Sequence, residues 1–396
     1  VDGYGLDVWM WYPNMGEDYT DPEIVERELA EREAIFAKVP RLDSVFIPGG
    51  DPGDLAPPTL FEWAADVEEC LTEHHPDADL WLSPQSFHGR EDWLSGFYEH
   101  VREEPEWLGG VVFGPWVKTP LPELREVVPD RYPIRRYPDI THSLACQYPV
   151  PDWDPALAAT LGRECINPRP RDQAAIHDAL REHATGSIGY SEGINDDVNK
   201  FVWLDREWDH GVDPRETLTE YARLFIDGER AGDLARGFAA LEENFRGRLA
   251  TNDGVEVTLR QWQDLEESLP DEVVEGNYRF QMGLLRAYAD AHVRRRLRHE
   301  TAIEDRAIEA LEDAPERGAL AAVDAAEEHL DRRETEPVAD ALRERAWELA
   351  DRLFETIGAQ FSVERHDAKS WVRAGFMDDL EVPLNDEPWL RERFAE

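Results

Sequence analysis

Carboxylates, amides and aromatic rings gather just after the short apolar runs in the first half of this chain. Asp51 follows the run 44–48 in the segment FIPGGDPG. Asp139 and His142 follow 133–137, and the loop beyond them carries Tyr148 and Trp153. Glu192 and Asn195 follow 186–190 in YSEGINDDVNK. Trp11 and Tyr12 close the first run, Gln85 follows 79–83, and Trp116 follows 110–114. Two carboxylates facing one acetal can divide acid, base and nucleophile work between them. Aromatic rings offer flat apolar faces to the C–H faces of a pyranose, and amides match its hydroxyls. Asp51, Asp139 and Glu192 are therefore the candidate catalytic carboxylates. Trp11, Tyr12, Gln85, Trp116, His142, Tyr148, Trp153 and Asn195 are candidate sugar contacts. Arg135 and Arg136 point to opposite faces of their strand, so one of them can meet a carboxylate substrate bidentately. Each group also has a structural alternative: Asp51 as a turn residue, Asp196 and Asp197 as helix caps, the arginines as ion pairs, the rings as core.

Other chemistries lack their patterns. There is no HxH or HExxH, and His74 and His75 are adjacent, so they cannot share a helix face. No G-x-S-x-G elbow, P-loop or G-x-G-x-x-G is present. Cys70, Cys146 and Cys165 have neither CxxC spacing nor an even count, which fits buried thiols. No metal and no cofactor is expected.

Elements that would position these residues follow from periodicity. The apolar runs 5–12, 44–48, 79–83, 110–114, 133–137 and 186–190 are too short for helices and end near Pro or Gly, so they read as strands. Amphipathic stretches 21–38, 58–73 and 90–103 lie between them, the first opened by Asp21-Pro22 as cap and first helical residue. Strand–helix alternation predicts an α/β fold with a parallel sheet. Without a nucleotide fingerprint the expectation is a (β/α)8 TIM-type barrel over 1–213. From 214 to 396 the pattern is helical, with candidates at 214–225, 231–248, 278–298, 303–311 and 337–356. This predicts an α-helical C-terminal domain with an irregular tail.

Charge constrains partners. The 396 residues hold 42 Lys+Arg against 86 Asp+Glu, a formal net charge of −44. Nucleic acid and anionic membrane surfaces would be repelled over most of the surface. Only Lys38, Lys118, Lys200 and Lys369 are lysines. Acid surplus with so little Lys fits a soluble cytoplasmic or secreted protein of a high-salt organism, where screening removes the self-repulsion. With 41% apolar residues and 14 Trp, the chain is a folded protein rather than a disordered one. The basic stretch VRRRLR, 293–298, reads as a salt-bridged helix face.

These motifs resemble barrel-type glycoside hydrolases, nearest the α-glucuronidases and more loosely the β-hexosaminidase-like barrels. In α-glucuronidases a strand leads into S-E-G-x-P-G-P, whose Glu is the general acid after strand four. FIPGGDPG is similar to that stretch, with Asp51 near the acid's place. YSEGINDDVNKFVW, followed by WDHGVDPRETLTEYARLFI, resembles the end of such a barrel and the start of its helical domain. If 186–190 is strand eight, 44–48 is strand four and 5–12 is strand three, and strands one and two lie outside the chain. The resemblance covers about residues 4–226. It implies a glycoside hydrolase acting on an oligosaccharide or glycan, with an acidic sugar as one option. A non-catalytic carbohydrate-binding protein on the same scaffold is the alternative. A sugar-acid lyase or isomerase would need a metal or a Lys base, and only Lys118 lies near a strand end.

Overall fold

A computed structural model of the chain describes residues 2–16, 18–50, 55–86, 90–141, 150–162, 166–191, 197–369 and 375–394. The chain divides into two compact units, one of residues 1–139 and 175–190, the other of 140–174 and 191–396.

The first unit is built on five parallel strands: β1 (Trp9–Trp11), β2 (Ser44–Gly50), β3 (Asp79–Ser86), β4 (Leu108–Phe113) and β5 (Ile134–Arg136). They lie side by side in chain order. The crossovers carry α1 (Pro22–Phe36), α2 (Pro57–His74), α3 (Glu91–Arg102) and α4 (Leu121–Val127). Because each strand is laid beside the previous one, same-handed crossovers place every helix on one face and the sheet curls away from them. Asp21 caps α1, its carboxylate accepting from the Glu23 amide at 2.9 Å with Pro22 at the first position. Val45, Ile47, Leu80, Leu82, Val111 and Ile134 face the helices and form the main core with residues such as Phe36, Trp63 and Phe97. The alternate positions, Phe46, Trp81 and Val112, turn to the concave face with Trp9 and Tyr137. Alternation of side chains along each strand separates the two sets.

The expected eight-stranded barrel is not what forms. Among the described residues the sheet has five strands, all parallel, and is curled as a half-barrel. Among the described residues the run 186–190 meets the five-stranded sheet through one isolated parallel bridge, Ser187 to Arg136, and its last residue, Tyr190, belongs to a separate two-stranded sheet. Its Gly186 and Ile188 nonetheless make ladder-like bonds to the Arg136 backbone, both 2.8 Å. The chain passes between the units within the short strands β6 (Asp139–Thr141) and β7 (Tyr190–Ser191) and within α6 (Pro170–Leu180), which α5 (Pro155–Thr160) precedes.

The second unit is helical. Its larger members are α7 (Asp197–Trp208), α8 (Pro214–Phe225), α9 (Ala231–Glu243) and α10 (Gly254–Ser268). After the short α11 (Asp271–Gly276) comes the 35-residue α12 (Tyr278–Glu312). Then follow α13 (Ala314–Arg317), α14 (Ala319–Leu330), α15 (Arg332–Thr335) and α16 (Asp340–Ile357), and three short helices, α17 (Val363–His366), α18 (Phe376–Asp379) and α19 (Glu387–Phe394). From Phe280 to Arg294 α12 is buried on every side, so it is the axis of this core rather than an amphipathic surface helix. Trp262 of α10 lies against Gly237 and Gly283. A Cβ on Gly283 would stand 2.1 Å from the indole ring. Arg286 and Asp290, one turn apart on α12 and both buried, pair at 2.5 Å, and Asn244 donates to the same carboxylate at 2.7 Å. Burial pushes the Asp290 carboxyl up, and Arg286 opposes that shift. In the basic stretch, Arg294 and Arg295 both meet Glu256, and Arg296 pairs with Glu300 at 2.6 Å.

Among the described residues no helix is long and apolar enough to cross a membrane.

Candidate functional site

In parallel α/β sheets, ligand chemistry collects at the carboxyl ends of the strands. The concave face of this half-barrel can be followed toward that end in layers. Register pairs Phe46 with Trp81 and Trp81 with Gly110. Gly110 has no side chain because the Trp81 indole lies across it: a Cβ there would come within 2.3 Å of the ring. Two residues further on, Val112 pairs with Arg135. Its guanidinium carbon stands 4.1 Å from the Trp9 ring centroid and 5.9 Å from that of Trp81, and the two indoles are 4.9 Å apart. A cation held over two indoles is pre-oriented, at lower entropic cost when it meets an anion.

The next layer holds Gln85, Gly114 and Tyr137. A Cβ on Gly114 would lie 3.0 Å from both the Gln85 Oε1 and the Tyr137 ring, so amide and phenol ring converge over the glycine. Gln85 is 3% exposed. The Tyr137 ring also makes edge contacts with Phe46 at 5.9 Å and Tyr190 at 5.6 Å.

Two large rings at the strand ends remain open to solvent, Trp11 at 53% and Trp116 at 47% exposure. β1 and β4 are three inter-strand spacings apart, about 14 Å along the sheet. Trp116 takes φ of +63°, a left-handed conformation that costs a residue with a Cβ of order 1–3 kcal/mol. The Lys118 ammonium lies 5.1 Å from its ring.

The sequence-derived candidates thus separate. Trp11, Gln85, Trp116 and Arg135 belong to the concave face or its carboxyl end. Tyr12 turns to the helix layer, beneath the Arg32 guanidinium at 4.2 Å and edge-on to Phe36; burial raises its phenol pKa. Arg136 also faces the helices, where it is buried and donates to the His177 carbonyl at 2.9 Å. Trp153 lies in the helical unit against Phe245, with ring centroids 5.9 Å apart. Its neighbour Asp154 caps α5 through the Ala156 amide and accepts from the Leu249 amide, both at 2.9 Å. Asp139 opens β6 and is 5% exposed. Asp51, His142, Tyr148, Glu192 and Asn195 lie outside the described residues.

Trp9, Trp81 and Tyr137 were not singled out from the sequence. The signal was there: each stands two or four residues along its strand from a residue that was, and period-two alternation puts such pairs on one face. Among the described residues no group of three or more His, Cys, Asp or Glu side chains is placed to hold a metal ion. Cys70 is a half-buried free thiol whose pKa is raised by burial.

No family model matches the chain, and no curated protein matches it. The resemblance to α-glucuronidases rests on the quoted motifs.

Proposed function

We propose that the sheet unit binds an acidic carbohydrate at the carboxyl end of its concave face, and that the protein is a glycoside hydrolase acting on it. One observation carries the reading: the Arg135 guanidinium, seated on Trp9, lies one layer below the point where Gln85 and Tyr137 meet over Gly114. A guanidinium for a carboxylate and an amide for hydroxyls form a compact set for a sugar acid. Trp11 and Trp116 supply exposed rings for flanking sugars. The two rings lie at the ends of different strands, β1 and β4, so they would meet different units of a short oligosaccharide.

Hydrolysis would use carboxylates following the strands. Asp139 is the described candidate, and Asp51 and Glu192 are the others. Asp51 would be the general acid and Asp139 or Glu192 the base or nucleophile. A panel of chromogenic uronides and matched neutral glycosides, assayed in molar salt, tests the reading. Release from uronides, abolished by Asp51→Asn with the fold retained, supports it. Binding without product over long incubation favours the carbohydrate-binding alternative.

A further inference from the structure

In a chain of net charge −44, one cleft is lined by five arginines against three carboxylates. It lies wholly within the helical unit, among α8, α9, α10 and the first turn of α6, and has a volume of about 880 Å³. Local composition runs opposite to the chain as a whole, so the cleft is a positive focus inside a negative field.

Ion pairing accounts for only part of this charge. Arg171 meets Glu243 at 2.5 Å, Arg230 meets Asp233 at 3.3 Å, and Arg236 meets the same carboxylate. Arg215, in the first turn of α8, and Arg260, in the middle of α10, have no carboxylate partner among the described residues. Asp264, one turn beyond Arg260, is the third acid of the lining and pairs with neither.

Small residues of α9 make up part of the lining. Gly232, Ala235 and Ala239 follow one another along α9 at helical spacing, and a Cβ on Gly232 would find nothing closer than the tip of Arg236, at 3.9 Å. Larger residues there would close the space. Gln261 and Thr219 on the walls supply hydroxyl- and carbonyl-matching groups. Small residues along α9, arginines from separate helices and interspersed neutral polar groups suit an extended ligand with several oxyanions better than one small ion.

We infer that this cleft binds an elongated oxyanion, a ligand carrying two or more carboxylate or phosphate groups. An acidic oligosaccharide and a polyphosphate share that chemistry. The cleft's preference for anions is independent of the proposed role of the sheet unit, which bears only on which source is met.

Isothermal titration of the full chain with oligogalacturonate, inorganic tripolyphosphate and a neutral oligosaccharide of matched length tests the inference. Arg215→Gln/Arg260→Gln is the probe variant. Both side chains are exposed, and a thermal melt checks that the variant is folded. The expected result is binding of at least one anion, weakened about tenfold or more in the variant, as loss of charge-assisted bonds implies. The tighter of the two anions identifies the source. Binding of neither anion, equal affinity for the neutral sugar, or unchanged affinity in the variant overturns the assignment. Anion binding lost in Arg135→Gln but kept in the Arg215/Arg260 variant would overturn the cleft while leaving the sheet reading intact.

Discussion

The guanidinium of Arg135, on the last strand of the sheet, stands 4.1 Å from the ring of Trp9 on the first. In a flat sheet those strands would be four spacings apart, about 19 Å. The contact therefore measures the curl of the half-barrel, and it places a cation at the centre of the concave face. Trp9→Ala removes the ring beneath the cation. The expected effect is weaker binding of an acidic sugar by about 1 kcal/mol, as for a partly desolvated cation–π contact, with neutral-sugar binding little changed. Titration of both sugars against wild type and variant checks it.

Trp116 combines an exposed ring with a left-handed backbone. Trp116→Gly should relieve the backbone cost and raise stability by roughly 1 kcal/mol. The same change should weaken binding of longer oligosaccharides. Opposite signs in a denaturation curve and in a binding curve are the expected signature. A fall in both would mean that the ring is structural.

Gly110 and Gly283 are each overlaid by an indole, Trp81 and Trp262 respectively. Substitution by Ala at either forces ring and backbone apart, and a loss of about 2–3 kcal/mol is expected from overpacking. Urea unfolding followed by tryptophan fluorescence reads it. Gly110→Ala should also shift Arg135-dependent binding, because Trp81 flanks the cation, whereas Gly283→Ala should not.

Much of this was legible in the sequence, and the remainder was missed for identifiable reasons. Strand positions followed from short apolar runs ending near Pro or Gly, such as 44–48, and the structure then sends Val45 and Ile47 to one face and Phe46 to the other. Barrel closure did not follow. The number of strands depends on edges and curvature, which no local pattern records, and the run 186–190 joins the five-stranded sheet by one bridge while its end pairs in a separate two-stranded sheet. The helix α12 reads as two segments in sequence because polar residues interrupt its apolar periodicity near 299–302. It continues because Glu300 is buried, pairs with Arg296 and accepts from the Leu384 amide at 2.7 Å. At the site, alternation places Arg135 and Arg136 on opposite faces but cannot say which face is concave. The Trp9 ring and the His177 carbonyl decide that.

The helical unit carries a pH signature. His292 of α12 is buried, and desolvation, reinforced by the nearby Arg296 and Arg343 and opposed by Glu381, lowers its pKa to about 4. Its folded pKa lies below the unfolded value near 6.5, so its contribution to stability is complete above pH ~6.5 and is lost as pH falls toward ~4. The shift corresponds to roughly 3 kcal/mol at most. His292→Leu should flatten that part of the stability–pH profile relative to wild type. Equal slopes between pH 6.5 and 4 would contradict the assignment.

In the proposed function the concave face recognises an acidic carbohydrate through Arg135. Its most direct test is the affinity of wild type and Arg135→Gln for an oligouronate and for its neutral counterpart, measured by titration calorimetry. Wild type is expected to prefer the uronate by about tenfold or more, and Arg135→Gln to remove the preference while neutral-sugar binding persists. Equal affinity of wild type for the two sugars, or a preference that survives in Arg135→Gln, would contradict it.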